Sequence, residues 1–127
     1  MSKKKIELEF EIKGSSKILY KRISTPSGLS DWFADNVNVN GDIFTFIWDR
    51  SEEKAKLLKM KKDEFVRFKW LEDEDDDSYF ELEIKIDPMT KDVALIITDF
   101  VEEDEEEEEV SMLWENQIAE LKHVLGS

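Results

Sequence analysis

The chain has 127 residues, of which 40% are hydrophobic and 11% aromatic, and this is enough for one domain with a packed core. Its formal net charge of −14 disfavours nucleic acids and anionic membrane surfaces as partners, because their phosphates require clustered Lys and Arg side chains. The absence of Cys excludes disulfides, Cys-type zinc sites and thiol nucleophiles.

The sequence predicts a cytoplasmic protein that does not insert into membranes. Its first residues lack the apolar region of a signal peptide, and no apolar run reaches the roughly 18 residues that a membrane span needs. The lack of Cys fits a reducing compartment. No internal repeat or linker divides the chain, so we expect residues 1–127 to form a single domain.

The first third of the chain predicts one strand followed by two short helices. Apolar and charged residues alternate over residues 6–12, which is typical of a half-buried strand. Ser15 or Ser16 can cap a short helix. Pro26 suits the first position of a second helix, whose apolar residues include Leu29 and Trp32.

The middle of the chain predicts further strands joined by tight turns. The Asn40-Gly41 pair favours a hairpin turn, and residues 43–48 read as a central strand covered on both faces. Residues 51–62 favour a helix by composition but form no helical apolar stripe. We predict a strand there, because the flanking strands need a hairpin partner.

Three more strands are predicted after this hairpin. Apolar and charged residues alternate over residues 65–71 and again over residues 79–86. A turn at Asp87-Pro88 follows, and residues 93–101 are rich in β-forming residues.

The C-terminal segment predicts one long amphipathic helix. Its apolar residues recur at helical spacing over about four turns. They are Val110, Leu113, Trp114, Ile118, Leu121 and Leu125. Acidic residues precede this stripe and Gly126 follows it as a stop. The stripe must lie on an apolar surface, and the sheet is the surface available.

The order of elements predicts an α+β fold of the helix-grip type. In this arrangement, a curved antiparallel β-sheet wraps around a long C-terminal α-helix, with two short helices after the first strand. A set of mostly aromatic and aliphatic residues is distributed over these elements along nearly the whole chain. They are Tyr20, Ser24, Pro26, Leu29, Trp32, Phe33, Gly41, Phe44, Phe46, Trp48, Phe68, Trp70, Trp114, Ile118, Leu121 and Leu125.

In this pattern the chain resembles the START-like (SRPBCC) superfamily, and most closely the family of homologues of the activator of heat-shock protein ATPase. The resemblance implies a cavity between the sheet and the long helix. Members of the superfamily bind lipids, sterols and other apolar molecules, cyclise or hydrolyse substrates, or act as co-chaperones. The resemblance therefore implies a site but no single reaction.

Candidate residues for the walls of such a cavity are mostly aromatic. They are Trp32, Phe33, Phe46, Trp48, Phe68, Trp70, Trp114, Ile118 and Leu121. The same residues are also what an ordinary filled core contains. A partly hollow core would receive an apolar ligand, whereas a filled core would not.

Candidate polar anchors for a ligand are few, namely Tyr20, Thr45 and Asp99. Asp99 has the same strand parity as Leu95 and Ile97, so an inward face would desolvate its carboxylate and raise its pKa. The alternative is a position near the strand end, in water or bonded to backbone.

The sequence predicts no catalytic residues, no metal site and no cofactor. The single histidine, His123, lies off the apolar stripe in the last turn of the helix, so Cys–His chemistry and His-rich metal sites are unavailable. The chain has no GxSxG elbow, no GxGxxG motif and no P-loop.

Two acidic runs, residues 72–77 and 102–109, hold fourteen of the 32 acidic residues. The simplest interpretation is that they form solvated loops. They could instead bind a basic protein partner or bind divalent ions weakly.

Three functional hypotheses follow. The first is non-enzymatic binding of a small apolar molecule, lipid-like or aromatic, between the sheet and the C-terminal helix. The second is a protein-interaction or co-chaperone-like module that uses its acidic loops. The third is an enzyme of the cyclase or hydrolase type, which a pocket containing Asp99 with a raised pKa would favour.

Overall fold

The computed structural model describes residues 3–73, 77–102 and 104–126. The strands in chain order are β1 (Lys4–Ile12), β2 (Asn36–Asn40), β3 (Ile43–Trp48), β4 (Ser51–Lys61), β5 (Phe65–Trp70), β6 (Phe80–Ile86) and β7 (Val93–Val101). The helices are α1 (Ser16–Ser24) and α2 (Pro26–Leu29), both between β1 and β2, and α3 (Asp104–Leu125) after β7.

The described strands form one antiparallel sheet in the order β1-β7-β6-β5-β4-β3-β2. Strands β2 to β7 are consecutive neighbours, and β1 closes the order by pairing with β7. In that pair, Lys4 is opposite Val101 and Ile12 is opposite Val93. Helix α3 packs on the inner face of the sheet through Trp114, and the predicted α+β helix-grip fold is confirmed.

The two short helices begin where the sequence predicts. The Ser15 hydroxyl oxygen accepts a hydrogen bond from the Lys17 backbone N–H at 3.1 Å and thereby caps α1. The Thr25 hydroxyl oxygen accepts one from the Gly28 backbone N–H at 3.0 Å, and Pro26 stands at the start of α2. Both starts follow from local chemistry.

The predicted strand over residues 51–62 is confirmed as β4, and a β-bulge explains why its pattern was ambiguous. Leu57 is opposite Phe68, but Lys59 is opposite Arg67, so Leu58 is an extra residue. The bulge reverses the alternation, and Met60 faces the same side of the sheet as Leu57.

Two expectations from the sequence were wrong, one about the burial of β3 and one about the second acidic run. Strand β3 is second from the edge, and the side chain of Thr45 is only half-buried between the buried Phe44 and Phe46, so β3 is not covered on both faces. The interpretation of the second acidic run as a solvated loop was wrong for residues 104–109, because α3 already begins at Asp104. Residues 74–76 and 103 of the acidic runs lie outside the described residues.

Aromatic rings fill most of the space between the sheet and α3. Phe46 and Phe68 are fully buried, and the Phe68 ring stacks on Phe80 with centroids 5.2 Å apart. Phe33 meets Phe46 edge-on at 5.0 Å and stacks on Trp114 at 5.8 Å. A ligand site in this region must therefore lie where the aromatic packing ends.

None of the helices in the described part of the chain is both long enough and apolar enough to cross a lipid bilayer.

Candidate functional site

The aromatic packing ends in a pocket of about 260 Å³ between α3 and the inner face of the sheet. Its lining residues are Phe33, Trp48, Glu53, Trp70, Asp99, Val110, Leu113, Trp114 and Gln117. We call it the tryptophan pocket. The pocket is bounded by β3, β4, β5 and β7, by the first half of α3, and by the segment that follows α2.

Asp99 is the acidic group held most deeply in this pocket. It lies on the inner face of β7, in register with the fully buried Leu95 and Ile97. The Trp114 indole N–H donates to Asp99 Oδ2 at 2.9 Å, and the Phe100 backbone N–H donates to Asp99 Oδ1 at 2.8 Å.

Burial raises the pKa of Asp99 above its ordinary value. The hydrogen bonds from Trp114 and Phe100 and the positive charge of Lys3 act in the opposite direction, and the Asp73 carboxylate adds to the increase. Desolvation is the largest of these effects, so the uncharged carboxyl is favoured more than in water.

The Phe33 carbonyl oxygen connects the segment after α2 with β3 and α3 at the side of the pocket. It accepts a hydrogen bond from the Trp48 indole N–H at 3.0 Å and another from the Gln117 side-chain amide at 3.3 Å. The Trp70 indole N–H, in contrast, has no hydrogen-bond acceptor among the residues that the structure describes. Trp70 therefore has a donor free for water or a ligand.

The structure brings together some of the predicted cavity residues and buries the others. Phe33, Trp48, Trp70 and Trp114 line the tryptophan pocket with Asp99. The remaining predicted wall residues lie in the packed core outside its lining. They are Trp32, Phe46, Phe68, Ile118 and Leu121.

The other two predicted polar anchors lie elsewhere. Thr45 is opposite Lys54, on the face of the sheet away from Phe44 and Phe46, so its hydroxyl does not reach the pocket. Tyr20 lies on α1 and lines a separate pocket beside the β4–β5 turn. Burial is the main cause that raises the pKa of its phenol.

Sequence reasoning missed Glu53, Val110, Leu113 and Gln117 as lining residues. Val110 and Leu113 were assigned only to the apolar stripe of the helix. Gln117 is one residue before Ile118 and reaches the Phe33 carbonyl, which no sequence signal shows. Glu53 is opposite the buried Phe46, so its parity alone would have placed it on the inner face.

His123 is exposed in the last turn of α3. Among the residues that the structure describes, no group of three or more His, Asp or Glu side chains is arranged to hold a metal ion.

The sequence matches the START-like superfamily domain over residues 1–127. The chain belongs to the START-like superfamily. A solved structure of the protein BfR322 from Bacteroides fragilis is similar, with 37% sequence identity and a TM-score of 0.70. The alignment covers 98% of this chain and 93% of that chain. The predicted superfamily is thereby confirmed.

More distant structures share the fold. The Aha1 dimer from Colwellia psychrerythraea is 15% identical, with a TM-score of 0.78, over 93% of this chain and 92% of that chain. DynU16, a protein of the dynemicin biosynthetic locus, is 10% identical, with a TM-score of 0.81, over 97% of this chain and 47% of its own. At these identities the likeness is one of fold. No curated protein matches the sequence.

Proposed function

We propose that this START-like domain binds a small aromatic molecule in the tryptophan pocket without transforming it. The observation that carries the proposal is the composition of the pocket wall. Phe33, Trp48, Trp70 and Trp114 line this pocket at the edge of the packed aromatic core. Aromatic faces and edges attract other rings, because their charge distributions are complementary in stacked and edge-on arrangements.

The size of the pocket supports an aromatic ligand over a lipid-like one. Ligand pockets usually enclose about 300–1,000 Å³, whereas this pocket has about 260 Å³. An apolar cavity of about 150 Å³ accepts benzene. One or two rings therefore fit here, and a long acyl chain or a sterol would have to displace the buried phenylalanines.

Polar groups at the pocket can orient a ring that carries a heteroatom. The Trp70 indole N–H is an uncommitted donor, and the Glu53 carboxylate is an exposed acceptor. Gln117 is already bonded to the Phe33 carbonyl and holds the wall in place. A ligand with one acceptor and one donor on its ring uses both uncommitted groups.

The expected affinity is modest. Covering about 200 Å² of apolar surface at about 25 cal/mol per Å² gives about 5 kcal/mol before the entropy lost on association is subtracted. Association costs at least about 4 kcal/mol, so about 1 kcal/mol remains, and ring contact alone gives a dissociation constant weaker than about a millimolar. Hydrogen bonds to Trp70 and Glu53 would strengthen binding from there.

Binding is better supported than catalysis, although Asp99 combines a raised pKa with a place in the pocket. Both of its oxygens already accept hydrogen bonds from Trp114 and Phe100. Each oxygen keeps a further lone pair, so these bonds alone do not prevent Asp99 from acting as a base. The residues that line the pocket, however, place no hydroxyl, amine or imidazole group beside Asp99 to act with it. Asp99 is placed to hold the indole of Trp114 and thereby to shape the wall.

The first experiment is native mass spectrometry of protein purified gently from its own host, followed by organic extraction. An aromatic adduct that survives purification gives the ligand class directly and identifies a ligand whose polar contacts raise its affinity far above that of a bare ring. Tryptophan fluorescence then measures affinity for a panel of indoles, naphthols and fatty acids, because three of the four Trp residues line the pocket.

Two neighbouring residues of α3 provide a matched pair of variants. Leu113 is 60% exposed and lines the pocket, whereas Met112 is 57% exposed and does not. Leu113→Ala should weaken ring binding about fivefold through lost contact area, and Met112→Ala should leave it unchanged.

A clean apo mass together with no response to any aromatic compound would contradict the proposal. Equal effects of the Leu113 and Met112 substitutions would place the ligand elsewhere. In the absence of ligand binding, a salt-sensitive pull-down of a basic protein would instead support the protein-interaction hypothesis.

A further inference from the structure

A second pocket, of about 550 Å³, lies between α1 and the turn that joins β4 to β5. It shares no lining residue with the tryptophan pocket. Lys17 and Lys21 approach it from α1, and Lys62 and Asp63 approach it from the turn. We call it the lysine pocket.

The turn holds Lys62 and Asp63 in a defined position opposite α1. The Glu64 backbone N–H donates to the Lys61 carbonyl at 3.0 Å, so Lys62 and Asp63 are the two central residues of a tight turn. Asp63 has a φ of 63°, in the left-handed region that some tight turns use at their third residue. The charged side chains are therefore attached to ordered backbone on both sides of the pocket, namely helix α1 and the β4–β5 turn.

The three lysine side chains of this pocket do not form salt bridges with carboxylates of the residues that the structure describes. The chain contains 32 acidic and 18 basic residues, so a lysine has many partners available. Other basic side chains form such salt bridges, as Lys61 does with Glu64 at 2.9 Å. Lys17, Lys21 and Lys62 form no ion pair with any residue of the ranges that the structure describes.

The rest of the pocket is largely apolar. The Tyr20 side chain is buried to 8% exposure, and Met60 exposes 46% of its surface although it faces the inner side of the sheet. The hydroxyls of Ser24 and Thr25 already donate to the carbonyls of Tyr20 and Lys21. The lysine ammonium groups and the Tyr20 phenol O–H are therefore the donors left for a ligand, and the Tyr20 ring and Met60 offer apolar contact.

We propose that the lysine pocket is a second binding site, and that it takes a small organic monoanion with an apolar body, such as an aryl or alkyl carboxylate. Three ammonium groups outweigh the single Asp63 carboxylate at the rim. The net charge of −14 repels every anion at long range, which disfavours a doubly charged phosphate more than a singly charged carboxylate.

The test is a titration with two probes that share a body and differ in charge, 4-phenylbutyrate and 4-phenylbutylamine. Backbone amide NMR shifts of uniformly labelled protein report where each probe binds. We expect 4-phenylbutyrate to shift the amides of residues 17–25 and 60–63, with a smaller effect on residues 113–117. The amine should leave residues 17–25 unaffected.

Charge-matched variants separate the pocket from the overall charge. Replacing Lys17, Lys21 and Lys62 with Gln should weaken 4-phenylbutyrate binding about tenfold. Replacing Lys5, Lys54 and Lys59 with Gln removes the same charge from exposed strand positions, and should change the affinity less than twofold. If the first triple variant does not fold, Lys62→Gln alone should weaken binding about twofold.

Four results would overturn the proposal. The first is equal binding of the amine and the carboxylate, and the second is an equal loss of affinity in both triple variants. The third is inorganic phosphate binding as tightly as 4-phenylbutyrate, because the apolar body would then contribute nothing. Shifts confined to residues 113–117 would assign the probe to the tryptophan pocket and would also overturn it.

Discussion

The indole N–H of Trp114 donates to the Asp99 carboxylate at 2.9 Å and so joins the middle of the C-terminal helix to the last strand of the sheet. This bond pairs a buried side-chain donor of the helix with a carboxylate that burial has partly desolvated. The geometry of the tryptophan pocket depends on it, because both side chains line that pocket.

The charge of Asp99 makes stability depend on pH. Because its pKa is raised in the folded state, the folded protein keeps this proton to a higher pH than the unfolded chain does. Stability is therefore lost as the pH rises from the ordinary Asp value, about 3.9, through the raised pKa. Asp99→Asn removes this titration but turns its amide NH2 toward one of the two N–H donors, which lowers stability by an amount independent of pH. We therefore expect the stability of the variant relative to wild type to increase as the pH rises from about 4 to 7, and urea unfolding at stepped pH measures this trend.

Asp87 provides a control, because its pKa is shifted in the opposite direction to that of Asp99. Backbone N–H groups of Met89 and Thr90 donate to its side chain and lower its pKa. Its stabilising effect is present above the ordinary Asp value and is lost as the pH falls through the lowered pKa. Asp87→Asn should therefore be less stable than wild type at pH 7. If the stability of both variants relative to wild type changed in the same direction with pH, the assignment of the raised pKa to Asp99 would be refuted.

Replacing Trp114 with Phe should destabilise the fold through the lost donor. The ring remains able to stack on Phe33, but Asp99 Oδ2 loses its partner in a partly desolvated site. The expected decrease in the free energy of unfolding at pH 7 is about 1–3 kcal/mol. The pKa of Asp99 should also rise further, because the Trp114 bond lowers it. An NMR titration of the carboxyl carbon measures this, and an unchanged pKa would show that the bond does not form in solution.

Gly28 is required by the close approach of α2 to α1. A Cβ atom at this position would lie 2.1 Å from the Lys21 carbonyl oxygen and 2.7 Å from the Arg22 Cα atom. Both are backbone atoms and cannot rotate away. Gly28→Ala should reduce the free energy of unfolding by about 1–3 kcal/mol. The exposed neighbour Ser27→Ala should stay within about 0.5 kcal/mol in the same denaturation experiment, and equal effects would contradict this reason.

The aromatic core should dominate stability. Phe68 is fully buried and contacts the rings of Phe44, Phe46 and Phe80. Phe68→Ala should reduce the free energy of unfolding by about 3–5 kcal/mol. Met89, which is 89% exposed, should tolerate Ala within about 0.5 kcal/mol. A small loss for Phe68→Ala would indicate a looser core with more room for a ligand than the packing implies.

The sequence by itself determined the elements whose signals are local. Alternation over residues 6–12, the caps at Ser15 and Thr25, and the helical spacing of Trp114, Ile118 and Leu121 each act over a few residues. Backbone geometry fixes these periods whatever the rest of the chain does. The order of the elements then left few ways to bury the apolar faces, and the helix-grip fold followed.

Tertiary structure alone decided where the core is open and which groups meet there. The bulge at Leu58, the bond between Asp99 and Trp114, and the meeting of Trp48 and Gln117 at one Phe33 carbonyl oxygen all join groups through strand register or helix placement. Partners so distant in sequence leave no periodic signal, because each position is compatible with several neighbours. The same aromatic residues could therefore predict both a filled core and a cavity, and only their packing shows that Phe46 and Phe68 are fully buried while the tryptophan pocket lies at the edge of the rings.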